Sequence, residues 1–266
     1  MRPIYKSGDP AEPSNFRPIL IVPVIYKITE RIVQRQLYCY HSSNCLLSYT
    51  QHVFVKSTRL RQHWLAFQML PVIGILATMD KKEISLLCLK DLSTCFDVIS
   101  HSKLLGLQLL GIDAGWVRSY LGGHTQSVCV IDGEGRRVFS KSLPNNVGVF
   151  QGSALGPLLF SVYANDLSLH APDARIVQQY ADDAHVLISG RKSELEATVA
   201  RLSVILSCLS DWFTASGLKV NAGKTQLMIL GSRQNLRDLP DVAVRFRDAV
   251  LEPCHQVKNL GMGGGS

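Results

Sequence analysis

The chain has 266 residues, of which 46% are apolar and 18% charged, enough for one large or two small domains with a sizeable core. That composition excludes a disordered, collagen-like or low-complexity chain. Lys and Arg number 28 against 21 acidic residues, a formal charge of +7, which permits a polyanionic partner without requiring one.

The opening, Lys6-Ser7-Gly8-Asp9-Pro10-Ala11-Glu12-Pro13-Ser14, is made of residues that turns demand. Ile19–Tyr26 is apolar and interrupted by Pro23; it is far shorter than the ~20 residues that span a bilayer. Charges and prolines crowd residues 1–30, so a soluble chain with no targeting segment is expected. Ile25–Tyr40 has helical spacing, with Ile28, Ile32, Val33 and Leu37 on one face and Lys27, Glu30, Arg31 and Arg35 elsewhere. The apolar run Ile84–Leu89 ends in Lys90-Asp91 and reads as a buried strand with a polar end. Leu104–Leu110 and Trp116–Leu121 read as short helices, and Val128–Ile131 with Arg137–Ser140 as a hairpin around Asp132-Gly133-Glu134-Gly135. Leu155–Leu169 is largely apolar and of helical length. Ile176–Tyr180 and His185–Ile188 flank Ala181-Asp182-Asp183-Ala184, a second hairpin. Leu195–Phe213 is an amphipathic helix closed by Gly217, and Leu218–Val220 and Gln226–Leu230 are strands around Asn221–Lys224. Helices and hairpins interspersed in this way predict an α+β fold, not a regular parallel sheet. The seven cysteines show no CxxC and no Cys/His cluster; they read as reduced thiols, mostly core fillers, of an intracellular protein.

Three acids stand out for chemistry. Asp91 follows one strand, and Asp182 and Asp183 sit at a hairpin tip. If that hairpin pairs beside the first strand, the carboxylates converge as hard oxygen donors suited to Mg²⁺ or Mn²⁺. Two such ions about 4 Å apart clamp the attacking and leaving oxygens of a phosphoryl transfer. The plainer alternative is a solvated Asp-Asp turn.

Around these acids the sequence resembles a known family. Tyr180-Ala181-Asp182-Asp183 resembles the YADD box of reverse transcriptases, and Leu89–Asp97 (LKDLSTCFD) resembles the LDxSKAFD box carrying the first catalytic Asp. Gly148–Phe160 (GVFQGSALGPLLF) is similar to GVPQGSxLGPLLF, with Asn165-Asp166-Leu167 continuing it. Gly8-Asp9-Pro10 with Ser14–Ile19 looks like the KxGDPxxxxNYRPI entry to the fingers. Leu218–Asn221 with Lys224-Thr225 resembles LxxNxxKT, and Val257–Gly261 the start of a primer-grip hairpin. Six boxes in order resemble the reverse transcriptases of non-LTR (LINE-type) retrotransposons, from residue 1 to about 262.

The resemblance implies fingers over 1–83 and a palm over 84–262, the palm an antiparallel sheet backed by helices, with the first-Asp box at 84–97, the Gln-Gly box at 148–170, YADD at 180–183, a primer grip starting at 257–262 and a flexible tail at 263–266. It implies that Asp91, Asp182 and Asp183 are catalytic and hold two Mg²⁺ or Mn²⁺ ions. Phe96 falls where the family places a ring under the sugar of the incoming nucleotide, excluding a 2′-hydroxyl; the alternative is an ordinary core Phe. Gln151 and Gly152 would meet the nucleotide or template, and Arg17, Lys27 and Lys224 its phosphates, against the alternative of solvated basic faces. An RNA template, a DNA primer and deoxynucleoside triphosphates are the implied partners, without a membrane. Nuclear and cytoplasmic localisation and a larger polyprotein supplying thumb and endonuclease domains are also implied.

Several positions depart from the family pattern. Phe150 replaces a Pro, Lys90 an apolar residue, Cys95 an Ala and His124 an Arg, and Gln51–Thr58 is a shortened QHGFRKGRST with Val53 and Val55 replacing Gly and Arg. Two functions from different classes therefore stand: an RNA-directed DNA polymerase, or an inactive, truncated retrotransposon remnant that folds and at most binds nucleic acid. A nucleotide cyclase is disfavoured because Gln151-Gly152 has no role there.

Overall fold

The computed structural model describes residues 1–48, 71–93, 95–107, 114–171, 173–174, 176–180, 183–220, 222–254, 256–259 and 262–265. In chain order, β1 (Arg2–Tyr5) pairs antiparallel with β2 (Phe16–Ile19). The turn-rich opening joins them: Gly8 has φ +101° and a side chain there would run into Asn15. Then come α1 (Val24–Ser43), α2 (71–80), β3 (Glu83–Ser93), α3 (His101–Gly106) and α4 (Ala114–Leu121). The pair β4 (Thr125–Gln126) and β7 (Leu143–Pro144) encloses the pair β5 (Cys129–Ile131) and β6 (Arg137–Phe139). α5 (Gly156–Tyr163) follows, then the hairpin β8 (Ile176–Tyr180) and β9 (Asp183–Arg191). Next are α6 (Leu195–Ala215), β10 (Lys219–Val220), β11 (Gln226–Leu230) and α7 (Arg233–Leu236). Two further antiparallel pairs end the chain: β12 (Val244–Phe246) with β13 (Ala249–Leu251), and β14 (Gln256–Asn259) with β15 (Met262–Gly265). β15 takes in three residues of the Gly-rich tail, whose backbone groups pair like any others.

Two compact units form. One comprises Met1–Leu47 and Cys95–Tyr163, the other Ser48–Thr94 and Ala164–Ser266. The second holds a five-stranded sheet in the order β10-β3-β9-β8, with β11 also on β3 and every pairing antiparallel. β3 is buried on both faces, which explains its unbroken apolar sequence. Leu87 and Leu89 pack with Leu187 and Met228, and Ile75 of α2 joins them. On the alternate positions Leu86, Cys88, Val186 and Ile188 are also fully buried, and α6 packs over β3 and β9. α6 ends where Gly217 takes φ +68° and Leu218 N–H and Gly217 N–H reach back to the carbonyls of Phe213 (2.8 Å) and Thr214 (3.0 Å). This is the paired C-terminal closure that a glycine permits. No helix among the described residues is long and apolar enough to cross a membrane.

Further details differ from the sequence reading. α1 does not bury its apolar stripe: Ile28 and Ile32 are 53% and 55% exposed, whereas Glu30 is 1% exposed. The helix turns inward the face of Glu30, Val33, Leu37 and His41, because Glu30 finds hydrogen-bond donors there. α5 is shorter than its apolar run and passes through a turn into a 3₁₀ segment, Leu167–His170. Of the seven cysteines only Cys88 and Cys95 are buried, and none of the seven is in a disulfide.

Candidate functional site

The acidic residues lie in the second unit. Residues 83–91 of β3 pair antiparallel with residues 183–191 of β9, and the last pair of that ladder is Asp91 with Asp183. The sequence places a strand end at Asp91; in the structure β3 runs on to Ser93, where Leu92 and Ser93 pair with β10. Asp183 is the first residue of β9, half-buried, and pairs on its other side with Tyr180. β9 thus begins two residues earlier than its apolar run, leaving only Ala181 and Asp182 between the strands; both lie outside the described residues. Acidic residues at one register position are unfavourable neighbours unless a cation offsets their charge, and carboxylate oxygens suit a hard divalent ion. Among the described residues, no group of three His, Cys, Asp or Glu is placed to hold a metal. Lys224 ends a 3₁₀ turn between β10 and β11 and is exposed.

Five expected residues lie in the first unit: Arg17, Lys27, Phe96, Gln151 and Gly152. Here two sequence-distant segments clasp one another. Cys95–Asp97 forms a 3₁₀ turn. Val149 N–H donates to the Phe96 carbonyl (2.7 Å) and Gly148 N–H to that of Ile99 (2.8 Å). The His101 ring meets the Gly148 carbonyl at 2.7 Å. Gly148 has φ +80°, and a Cβ on it would lie 2.8 Å from the Phe96 and Asp97 carbonyl oxygens, so no other residue fits without displacing one strand of the clasp. Gln151 donates from Nε2 to Asp97 Oδ1 at 2.6 Å, and its carbonyl accepts from Leu20 N–H at 2.9 Å. Gly152 has φ +97°, and a Cβ there would approach the Leu20 carbonyl to 3.3 Å. A cavity of about 240 Å³ opens beside this turn, lined by Pro18, Leu20, Asp97, Val149, Phe150 and Gln151 among others. Phe96 is half-buried, its ring 5.1 Å from that of Phe160 at 38°; one side of the ring packs on α5 while part of it stays accessible. Arg17 is exposed on β2, three residues before Leu20, and Lys27 is half-buried in the first turn of α1.

Sequence reasoning missed the residues beneath the turn. Glu30 accepts from Tyr120 Oη–H at Oε1 (2.9 Å) and from Ala154 N–H at Oε2 (2.8 Å). Tyr120 Oη and Ser153 Oγ are 2.6 Å apart, and Ser153 Oγ accepts from Leu155 N–H (3.0 Å) and Gly156 N–H (3.2 Å). Burial, and after it the Glu30 carboxyl group, pushes the Tyr120 phenol far above its usual range. Burial likewise raises that of Tyr26. The available signal was that Glu30 continues the Val33, Leu37 and His41 face at helical spacing. Asp97 stood in a recognised box without a role; its role here is to hold the Gln151 amide.

The departures Phe150 and His124 are in contact. Their rings meet edge to face at 5.3 Å and 89°, and Phe150 makes a second such contact with Tyr120 at 6.0 Å and 77°. The segment Gln51–Thr58 and Asn221 lie outside the described residues.

The family described as reverse transcriptase (RNA-dependent DNA polymerase) matches residues 4–263. The chain is 30% identical over 246 residues to the RNA-directed DNA polymerase from mobile element jockey of Drosophila melanogaster, covering 86% of this chain and 25% of that protein. It is 30% identical over 273 residues to a probable RNA-directed DNA polymerase from transposon BS of the same organism, covering 97% of this chain and 28% of that one. The chain thus spans about a quarter of the length of these relatives. Among solved structures, apo telomerase of Candida tropicalis aligns with a TM-score of 0.52 at 14% identity, covering 91% of this chain and 46% of that chain, a likeness of fold alone.

Proposed function

The chain belongs to the reverse transcriptase (RNA-dependent DNA polymerase) family, and from that premise we propose that it is the fingers and palm of a LINE-type RNA-directed DNA polymerase. The observation that carries the reading is the β3–β9 register, which ends on Asp91 opposite Asp183 at the mouth of the hairpin holding Asp182. The reaction is attack of a primer 3′-hydroxyl on the α-phosphorus of a deoxynucleoside triphosphate, forming a phosphodiester, breaking the bond to the β-phosphate and releasing pyrophosphate. Asp91, Asp182 and Asp183 would hold divalent ions, Mg²⁺ or Mn²⁺, which when bound supply charge neutralisation at the reacting phosphate. The chain's own residues bind and orient. Phe96 presents a half-open ring as a floor for the sugar and excludes the 2′-hydroxyl by bulk. Gln151, fixed by Asp97, and the bare backbone at Gly152 form a surface for close approach of the nucleotide. Arg17, Lys27 and Lys224 neutralise phosphate charge. An RNA template and a DNA primer complete the assembly, and the remaining length of a polyprotein supplies further duplex contacts.

The remnant alternative is not favoured: all three acids are present, and two of the departures pack together. The test is extension of an oligo(dT) primer on poly(rA) by the purified chain with Mg²⁺ or Mn²⁺. Template-dependent incorporation of dTTP is the expected result; none with either ion, from folded protein, overturns the reading.

A further inference from the structure

The turn at Gln151-Gly152 is braced from below by a buried polar chain with a direction. Both oxygens of Glu30 serve as acceptors here, Oε1 from Tyr120 Oη–H and Oε2 from Ala154 N–H. Tyr120 has one proton and gives it to Glu30 Oε1. The 2.6 Å contact between Tyr120 Oη and Ser153 Oγ must then carry the serine proton, donated to the phenol oxygen. Ser153 Oγ is left to accept, and it accepts from Leu155 and Gly156 N–H. Every proton has one place, and the order is set at the Glu30 end.

We propose that Glu30, acting through Tyr120 and Ser153, is a positioning residue that latches the Gln151–Gly156 turn in the geometry that receives the incoming nucleotide. The proposal deepens the polymerase reading and rests on it. Three observations support a positioning role over simple packing. Glu30 is 1% exposed, and a carboxyl group is a poor filler for a core position unless its acceptors are needed. Its two oxygens hold two different elements, α4 through Tyr120 and the turn through Ala154 N–H. The turn itself carries φ +97° at Gly152, and glycine's wide backbone freedom leaves the turn's geometry to be fixed by its surroundings. With Leu20 N–H and Asp97 gripping Gln151, the latch is the third hold on the same six residues.

The test uses the purified chain with Tyr120→Phe, Ser153→Ala, Glu30→Gln and the double variant Glu30→Gln/Tyr120→Phe. Tyr120→Phe keeps the ring that stacks on Trp116 (5.5 Å, 8°) and removes only the relay. Glu30→Gln places an amide N–H₂ against either Tyr120 or Ala154; facing Tyr120, it reverses the chain and strands the Ser153 proton. In the double variant that amide faces a phenyl edge while its oxygen still accepts from Ala154. Two readouts are taken: amide exchange over residues 150–158, and KM for dTTP separately from kcat on poly(rA)/oligo(dT). Tyr120→Phe and Ser153→Ala are expected to speed exchange at Ala154–Gly156 by about fivefold or more, the scale of one lost hydrogen bond. KM for dTTP is expected to rise by a similar factor with kcat changed by less than about twofold. The double variant is expected to exchange more slowly than Glu30→Gln alone.

A packing role predicts the opposite split, with a lower melting temperature and less active enzyme at unchanged KM, and that result overturns the proposal. Unchanged exchange in Tyr120→Phe and Ser153→Ala also overturns it. The exchange arm needs no turnover. If exchange responds while the parent extends no primer, the latch stands and the polymerase reading falls.

Discussion

Gly148→Ala tests whether the Phe96 turn and the Gln151 turn are one mechanical element. Gly148 sits at φ +80°, where an alanine costs roughly 1–2 kcal/mol in backbone conformation alone. Its Cβ would lie 2.8 Å from two backbone oxygens, those of Phe96 and Asp97. Neither oxygen belongs to a flexible side chain that can swing away, so the clasp must open. Opening it weakens Gly148 N–H to Ile99 and Val149 N–H to Phe96, at 2.8 and 2.7 Å, each worth about 0.5–1.5 kcal/mol net. The total is about 2–5 kcal/mol, and at about 2–4 °C per kcal/mol for a chain of this size the melting temperature should fall by roughly 4–20 °C. Gly133→Ala is the control, since a Cβ there meets nothing within 4 Å and a change of about 0.5 kcal/mol or less is expected. Thermal melts of the two variants beside the parent decide the matter. A Gly148→Ala protein that melts with the Gly133→Ala control would refute the clasp.

Other outcomes follow from the same geometry. Asp182→Asn should reduce primer extension by at least the ~10²–10³-fold typical of losing one well-placed electrostatic group, with an unchanged circular dichroism spectrum; extension at the parental rate would remove Asp182 from the site. Phe96→Val should raise the ratio of ribo- to deoxynucleotide incorporation, because the clash with a 2′-hydroxyl is relieved. If the ratio is unchanged and the melting temperature drops, the contact with Phe160 is the whole role of Phe96, at the ~1–4 kcal/mol of a large-to-small core change. Tyr120 makes a pH prediction. Burial raises its phenol above the ordinary 10.0, so above that pH the unfolded chain releases a proton that the folded chain retains. The unfolded state then binds fewer protons, and stability falls as pH rises, by up to about 1.4 kcal/mol per unit from this group. Below pH 10 the group contributes no slope. Denaturant midpoints of parent and Tyr120→Phe, compared from about one pH unit below the ordinary 10.0 to about one and a half units above it, should converge as pH rises; parallel curves would show that Tyr120 is not held protonated.

Local features were legible in the sequence because local physics decides them. The β8–β9 hairpin followed from two apolar runs around a short acidic turn. Gly217 marked the end of α6 because only a residue that tolerates φ +68° closes a helix that way. The buried strand around Leu86 and Cys88 announced itself as an unbroken apolar run. What stayed hidden depends on partners far away in sequence. Glu30 meets Ala154 across 124 residues; its spacing with Val33, Leu37 and His41 placed it on one helix face but did not name the two donors it finds there, nor that Ile28 and Ile32 stay exposed. Pairing of the hairpin beside the first strand was expected to bring the acids together, but the exact register that opposes Asp91 to Asp183 was not legible, since period-two alternation fixes which face a residue takes and not which residue sits across from it. The compact units interleave in sequence for the same reason: each is closed by contacts between segments that a linear reading keeps apart.

The departures from the family pattern change meaning once their places are known. Taken one at a time, Phe150 loses the fixed φ of a proline and His124 loses a guanidinium. In the fold they meet edge to face, and Tyr120 takes part in the same contact, the arrangement in which aromatic pairs attract beyond their buried area. His124 also meets the Tyr120 carbonyl through Nε2 at 2.9 Å. A proline at 150 would leave the His124 ring edge without this partner, whereas an arginine at 124 could still meet the Phe150 ring through its guanidinium. Both residues bear on Tyr120, the residue that carries the latch to Ser153. Two of the departures thus share one contact, and that contact packs on the tyrosine braced against the Gln151–Gly156 turn.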